Sequence, residues 1–335
     1  MLLARCRESK LFPPASAVAD ARVSAACGGA ELFTSVELAL AADAFDRAHV
    51  LVPPDLHAAT ALPLLRAGKP VLLEKPMATS PAEAATLLAA TEGGALLGIN
   101  QNFIHHPAYV RLRAMVAARA LGRPRHVACT YNMPLRQLAA RQFGHWMFHA
   151  PLNILLEQAV HPLSQIAGLA GPIGAVTAQA GPPIEIAPGT PFYPALDATF
   201  ICRDLPAQLR FAVGCPFPFW QLTVVCDDGV IVADIAANRV FTYANTRWIE
   251  ALDGAVAGLR TGASIGWAGL RNLAAYAAST AKLSRAGNPF LQSMRGSIAA
   301  FHAAADAGRT PALSGAFGAN LVETCAALAA AVTTS

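Results

Sequence analysis

Two short stretches carry side chains able to do chemistry on a substrate. Glu74-Lys75-Pro76 follows the apolar run Val71-Leu72-Leu73, so a cation stands on a loop at the end of a buried strand, with a proline behind it to fix the backbone. Further on, Glu157 and His161 fall one helical turn apart in NILLEQAVHPLSQIAGL, residues 153–169. Ile154, Leu155, Ala159, Pro162, Leu163 and Ile166 give this stretch one apolar helical face. An imidazole titrating near pH 6.5 accepts a proton at neutral pH. Taken alone, a histidine on such a face is more often a satisfied core residue, and an i, i+4 pair without a third ligand nearby makes a poor metal site. His105-His106-Pro107 reads as a helix-start cap or a surface pair, because adjacent loop histidines do not converge on one ion.

The element that must position Lys75 is a βαβ unit over residues 49–76, HVLVPPDLHAATALPLLRAGKPVLLEKP. Apolar Val50-Leu51-Val52, a Pro-Pro turn, helix-spaced Ala and Leu, a Gly turn and Val71-Leu72-Leu73 follow in order. Ligands of open α/β sheets bind outside the carboxyl ends of the strands, where Pro53-Pro54 and Glu74-Lys75-Pro76 both fall. Around this unit, residues 1–10 pattern as a short amphipathic helix, 16–20 as a strand ending in Asp20, and 21–30 as a helix. Ser35 or Thr34 caps a helix, Ser80-Pro81-Ala82-Glu83 is a capping box, and 95–100 is a buried strand. From Gly174 to Ala244 several short segments have strand character, with clear alternation at 208–213 and a hairpin turn at Asp227-Asp228-Gly229. Residues 249–283 read as one or two helices, and 288–305 and 315–331 as helices.

Composition narrows the class. At 335 residues two domains with separate cores fit. Seven scattered cysteines show no metal-ligand spacing and read as reduced cytoplasmic thiols; no metal site is expected. A net charge of +4, not gathered into a run, gives no ground for nucleic-acid binding. No window reads as a membrane span, the longest uncharged stretch, 158–184, being broken by Pro and Gly. Charges at Arg5, Arg7 and Glu8 interrupt the N-terminal apolar residues and argue against a signal peptide.

The strand, PP-D-L-H turn, helix and A-G-K-P-V-L-L-E-K-P together resemble the Gfo/Idh/MocA family of NAD(P)-dependent oxidoreductases. Residues 95–102 are similar to that family's strand and loop after the E-K-P motif, with Asn102 where an arginine is common. Leu121-Gly122-Arg123-Pro124 resembles its turn into the second domain. The resemblance implies Asp20 on the adenosine ribose, with Pro53, Pro54, His57, Glu74, Lys75, Pro76 and Asn100 around the cofactor, His57 in a structural part. It implies Lys75 and His161 as catalytic residues with Glu157 as the accompanying acid, and NAD rather than NADP, because Asp20 would repel a 2′-phosphate. The family's first strand and its glycine turn would precede residue 1.

The expected fold is α/β: an incomplete Rossmann-like domain over 1–101, then an α/β domain over 102–335 with an open, mainly antiparallel sheet and terminal helices 288–335. The expected reaction is hydride transfer on a secondary alcohol or ketone of a sugar, cyclitol or sugar nucleotide. The expected assembly is a homodimer or homotetramer through the open sheet, in the cytoplasm, without nucleic acid or membrane. A non-catalytic binding or regulatory protein on the same fold is the alternative. Trp220, Phe217, Phe219, Tyr193 and Phe192 are candidates for pocket or interface.

Overall fold

A computed structural model describes residues 2–5, 8–11, 31–244, 249–284 and 288–334. Asp20, the strand expected before it and the helix expected at 21–30 lie outside the described residues. The chain divides into two compact units, Met1–Gln101 with Ser297–Ala326, and Asn102–Gly296 with Ala327–Ser335. The break at 101 coincides with the expected one, but residues 297–326, expected with the second domain, belong with the first.

The first unit is built on a five-stranded sheet, in the order β2 (Glu8–Leu11), β1 (Leu2–Arg5), β3 (Arg47–Val50), β4 (Val71–Glu74), β5 (Leu97–Asn100). β3, β4 and β5 are parallel neighbours. Their crossovers carry α2 (His57–Arg66) and α3 (Pro81–Ala89), while α1 (Val36–Ala41) precedes β3. Ser35 caps α1 and Ser80 caps α3, each accepting a backbone N–H three residues on. Glu83 completes the start of α3 one residue earlier than a capping box would, accepting from the Thr79 N–H and hydroxyl.

Residues 1–10 are not a helix: β1 and β2 form an antiparallel hairpin, and β1 runs antiparallel beside β3. An uncovered β3 edge presents backbone donors and acceptors that need partners, and a strand satisfies them where a short helix does not. The place next to β3 is therefore filled from the start of this chain, in the opposite direction to β3. The other edge is partly covered too, since Ile99 N–H donates to Leu313 O at 2.8 Å.

The second unit holds a seven-stranded sheet ordered β14 (Arg239–Ala244), β13 (Gly229–Asp234), β12 (Phe219–Cys226), β6 (Pro124–Met133), β11 (Pro206–Val213), β10 (Ala195–Cys202), β7 (Ile173–Ala180). All neighbours are antiparallel except β6 with β11. β8 (Ile184–Ala187) and β9 (Thr190–Phe192) make a small separate hairpin. Burial alternates along β10 and β11, so one face packs and the other is open. The packed side receives α4 (Pro107–Ala117) and α7 (Val160–Ala170). α5 (Arg136–Ala139) and α6 (Pro151–Ile154) are single turns, whereas α8 (Glu250–Thr280) is one helix of 31 residues that packs on β14. α9 (Pro289–Asp306) and α10 (Gly315–Thr334) end the chain.

Within α10, Gly315–Val332 is long and apolar enough to cross a membrane by length and composition, which corrects the expectation that no window is. Half of that window is buried, with Leu321, Val322 and Cys325 inside. A Cβ at Gly318 would stand 2.6 Å from Ile99 Cγ1 on β5, so the helix reads as a core element laid closely on the sheet.

Candidate functional site

The predicted site residues that are described, all but Asp20, fall into two groups, one in each unit. In the first unit they gather at the carboxyl ends of the parallel strands. The β4 and β5 register sets Glu74 beside Asn100, and Asn100 Nδ2 donates to Glu74 Oε1 at 2.7 Å. Burial pushes the Glu74 carboxyl above its ordinary value, while that bond and the adjacent Lys75 oppose the shift. Lys75 is the next residue, at the mouth of β4, and the Lys75–Pro76 peptide is cis.

His57 shows what holds this loop. Pro54 opens one 3₁₀ turn, Pro54–Leu56, behind Pro53, and His57 starts α2 directly after it. Its ring is buried, with Nδ1 2.7 Å from Pro76 O and Nε2 3.0 Å from Val52 O. The imidazole thus ties the loop after β3 to the loop after β4. Burial holds its pKa below the ordinary value, against the two carbonyl contacts, which raise it. A neutral ring has one N–H, so it donates to one carbonyl at a time, and the shorter contact to Pro76 is the better bond. Pro53, Pro54, His57, Glu74, Lys75, Pro76 and Asn100 are accordingly brought to one end of one sheet.

In the second unit His161 is the second residue of α7, one residue past a π-helical turn over Leu155–Ala159 that contains Glu157. The helix expected over 153–169 is present, running from Pro151 to Ala170 through α6, the wide turn and α7 with helical backbone at each junction. Such turns are frequent at functional sites because the extra residue re-aims the side chains that follow. The half-buried His161 ring meets Phe103 edge-on at 4.8 Å and lies 6.4 Å from Trp220, and the Phe103 and Trp220 rings are 4.6 Å apart. Tyr131 on β6 packs edge-on to Trp220 at 4.9 Å, and its hydroxyl donates to Gln158 Oε1 at 2.7 Å. Burial first, with Cys129 and Glu157 as lesser causes, raises the Tyr131 pKa far above its ordinary value, so it stays a neutral donor.

The supports around His161 also come from separate segments. Ser164 donates to His161 O, Gln165 Nε2 to Phe103 O, and the buried Tyr109 hydroxyl to Gln165 O. Asn102 donates to Ser293 Oγ at 2.9 Å, a neutral contact. His106 caps α4, accepting from the Ala108 N–H, as the cap reading of His105-His106-Pro107 expects. Of the aromatic candidates, Trp220 borders His161, Phe192 is buried against Phe148, and Phe217 is exposed. Sequence reasoning missed Phe103, Tyr131 and Gln158, which carry no local pattern. No cluster of three metal-ligating side chains occurs among the described residues.

The strand-end loops and the Glu74–Asn100 pair fit the nicotinamide end of a dinucleotide, being a polar rim on buried strands. A glycine turn for the pyrophosphate is not among the described residues.

Two family models match the chain: "Oxidoreductase family, NAD-binding Rossmann fold" over residues 14–99 and "GFO/IDH/MocA C-terminal domain" over 109–232. A dTDP-3,4-didehydro-2,6-dideoxy-alpha-D-glucose 3-reductase of Streptomyces violaceoruber is 36% identical over 121 residues, 35% of this chain and 34% of the reductase. The match thus spans about a third of that relative's length. In fold, the chain is similar to an NAD binding oxidoreductase from Klebsiella pneumoniae (TM-score 0.74, 16% identity, 97% of this chain and 88% of that one). It is also similar to the WlbA dehydrogenase from Bordetella pertussis, solved in complex with NADH and UDP-GlcNAcA (TM-score 0.68, 17% identity, 93% and 84%).

Proposed function

The chain belongs to the GFO/IDH/MocA family of NAD-binding oxidoreductases, and on that premise we propose that it transfers a hydride between a nicotinamide cofactor and a secondary alcohol or ketone of a sugar, cyclitol or sugar nucleotide. The observation that carries the reading is Lys75 at the carboxyl end of β4, in a loop that the buried His57 ties to its neighbour. The sugar-nucleotide names of the relatives support the substrate class.

In the oxidative direction His161 takes the proton of the substrate hydroxyl, and the Lys75 ammonium stabilises the negative charge that develops on that oxygen. Glu157, on the wide turn before His161, orients or polarises. The nicotinamide, when bound, supplies the hydride acceptor. Pro53, Pro54, His57, Glu74, Pro76 and Asn100 hold its ring end, and Asp20 the adenosine ribose, which favours NAD over NADP. Assembly through the open sheet face belongs to the same proposal. Its support is the sheet face on which alternate residues of β10 and β11 are exposed, an unpaired surface of the kind a second copy can cover. So does a cytoplasmic setting, supported by five described cysteines standing as free thiols.

Titration with NADH and NADPH, followed by nicotinamide fluorescence, together with turnover of Lys75→Met, tests the proposal. Micromolar NADH binding retained in the variant, with kcat lowered by about a thousandfold or more, is expected. A variant with undiminished turnover removes Lys75 from the chemistry. An unmodified chain that binds neither nucleotide favours the binding-protein alternative.

A further inference from the structure

α8 turns its apolar side outward. Leu259, Leu270 and Leu273 are between 64% and 75% exposed, and Leu252, Trp267 and Tyr276 are exposed beside them. Thr261 and Ala268, on the opposite side, are the buried positions, where the helix rests on β14. At 3.6 residues per turn, Ala255, Leu259, Gly262, Gly266, Leu270, Leu273 and Ala277 form one stripe along the outer face. The charged residues Asp253, Arg260 and Arg271 fall on the other side of the helix. The outer face is thus long, apolar and without charge.

The glycines on this helix answer to nothing inside the unit. A Cβ at Gly254, Gly258, Gly262, Gly266 or Gly269 would meet no atom within 4 Å. Glycine in an exposed helix interior costs stability relative to alanine, and its return is the close approach of another backbone.

We propose that this face is a dimer contact, occupied by α8 of a second copy of this chain lying antiparallel to it across a two-fold axis at Gly266. The residue order is self-complementary about that point. Leu270 of one copy falls opposite Gly262 of the other, and Leu259 opposite Leu273. Ala255 falls opposite Ala277, and Gly266 opposite itself. Leu270 therefore faces the gap at Gly262 twice by symmetry, the Leu259–Leu273 pairs flank it with apolar contact, the small residues at 255, 266 and 277 leave room for close approach, and no like charges are brought together. A helix of 31 residues is roughly 46 Å long. A strip about 10 Å wide along it buries on the order of 1,000 Å² over two copies, where stable interfaces begin. A membrane-surface helix would need bulky apolar residues in place of the glycines and a strongly basic opposite side. This contact is separate from the open sheet face, so a chain that uses both forms a tetramer.

The test is light scattering on the full chain and on Leu259→Glu/Leu270→Glu, with circular dichroism to show that the variant keeps its fold. The substituted side chains are exposed, so folding is expected to be unaffected. The assembly should fall by half, from dimer to monomer or from tetramer to dimer. Gly266→Cys should give a covalent dimer on mild oxidation, because only a residue on the axis meets its own copy within disulfide reach. Arg260→Cys, on the far side, should not. A parent chain that is monomeric at tens of micromolar, or an assembly unmoved by the double substitution, overturns the proposal. So does equal cross-linking at 260 and 266. Lys75→Met turnover and NADH binding read the enzymatic proposal independently of all these outcomes.

Discussion

His49 on β3 and His302 on α9 meet Nε2 to Nε2 at 3.2 Å, and Arg47 Nη1 stands 3.0 Å from His302 Nδ1. A guanidinium only donates, so His302 accepts at Nδ1, carries its proton on Nε2 and donates that N–H to His49 Nε2, whose own proton is then on Nδ1. This order holds only while both rings are neutral. Burial first, then His302 and Arg47, push His49 down to about 4. The folded pKa lies below the unfolded one, so the unfolded chain binds more protons between them. The stabilisation is full above about pH 6.5 and is lost as the pH falls towards 4, by up to about 3 kcal/mol. His106, pushed down to about 4 mainly by burial, adds to the same slope. Urea midpoints at pH 7 and pH 5 should therefore lie closer together for His49→Gln than for the parent chain. An unchanged gap would show that the histidine stack does not set the slope.

Among elements, the pairing of α4 with α7 is the most exacting. Gly168 on α7 lies against Tyr109 on α4, and a Cβ there would come 2.5 Å from the tyrosine Oη and 3.0 Å from Ile104 Cδ1. Gly168→Ala should lower stability by about 1–3 kcal/mol despite the better helix propensity of alanine. Adding Tyr109→Phe to that variant should recover part of the loss, since it removes the clashing atom; a purely additive pair of denaturation midpoints would count against this packing account. These contacts were not legible in the chain, because Gly168 and Tyr109 each read as ordinary helix residues. The βαβ unit around Lys75 was legible, since apolar runs, Pro-Pro and Gly turns mark its edges. So were the strands of the second sheet, from period-two alternation, and the caps at Ser35 and Ser80. The wide turn at 155–159 was not, as Leu-Leu-Glu-Gln-Ala suits an ordinary helix. The hairpin at Leu2–Leu11 was misread as a helix because its partner, β3, lies some forty residues away. The site divides the same way: Lys75 and Asn100 could be placed on their strand ends from local pattern. The Phe103, Trp220 and Tyr131 surround of His161 is assembled from three distant segments, and no local pattern announces it.

For the molecule as a whole, the position of β6 has a consequence for how the chain is made. Its two hydrogen-bonded neighbours are β11 and β12, and no earlier strand pairs with it. During synthesis β6 leaves the ribosome long before Pro206 begins β11, a delay of roughly 4–15 s at ordinary elongation rates. Through that interval the middle of the future sheet has both edges bare, and its parallel partner can join only by closing a long loop. The second unit should accordingly fold after release of most of its length. In refolding experiments the near-ultraviolet signal of Trp220 against Tyr131 should appear later than helical ellipticity; simultaneous appearance would contradict that order. A nascent chain of this design should gain from chaperones that shield exposed strand edges, and its yield in a cell should follow their supply more closely than the stability of the finished protein.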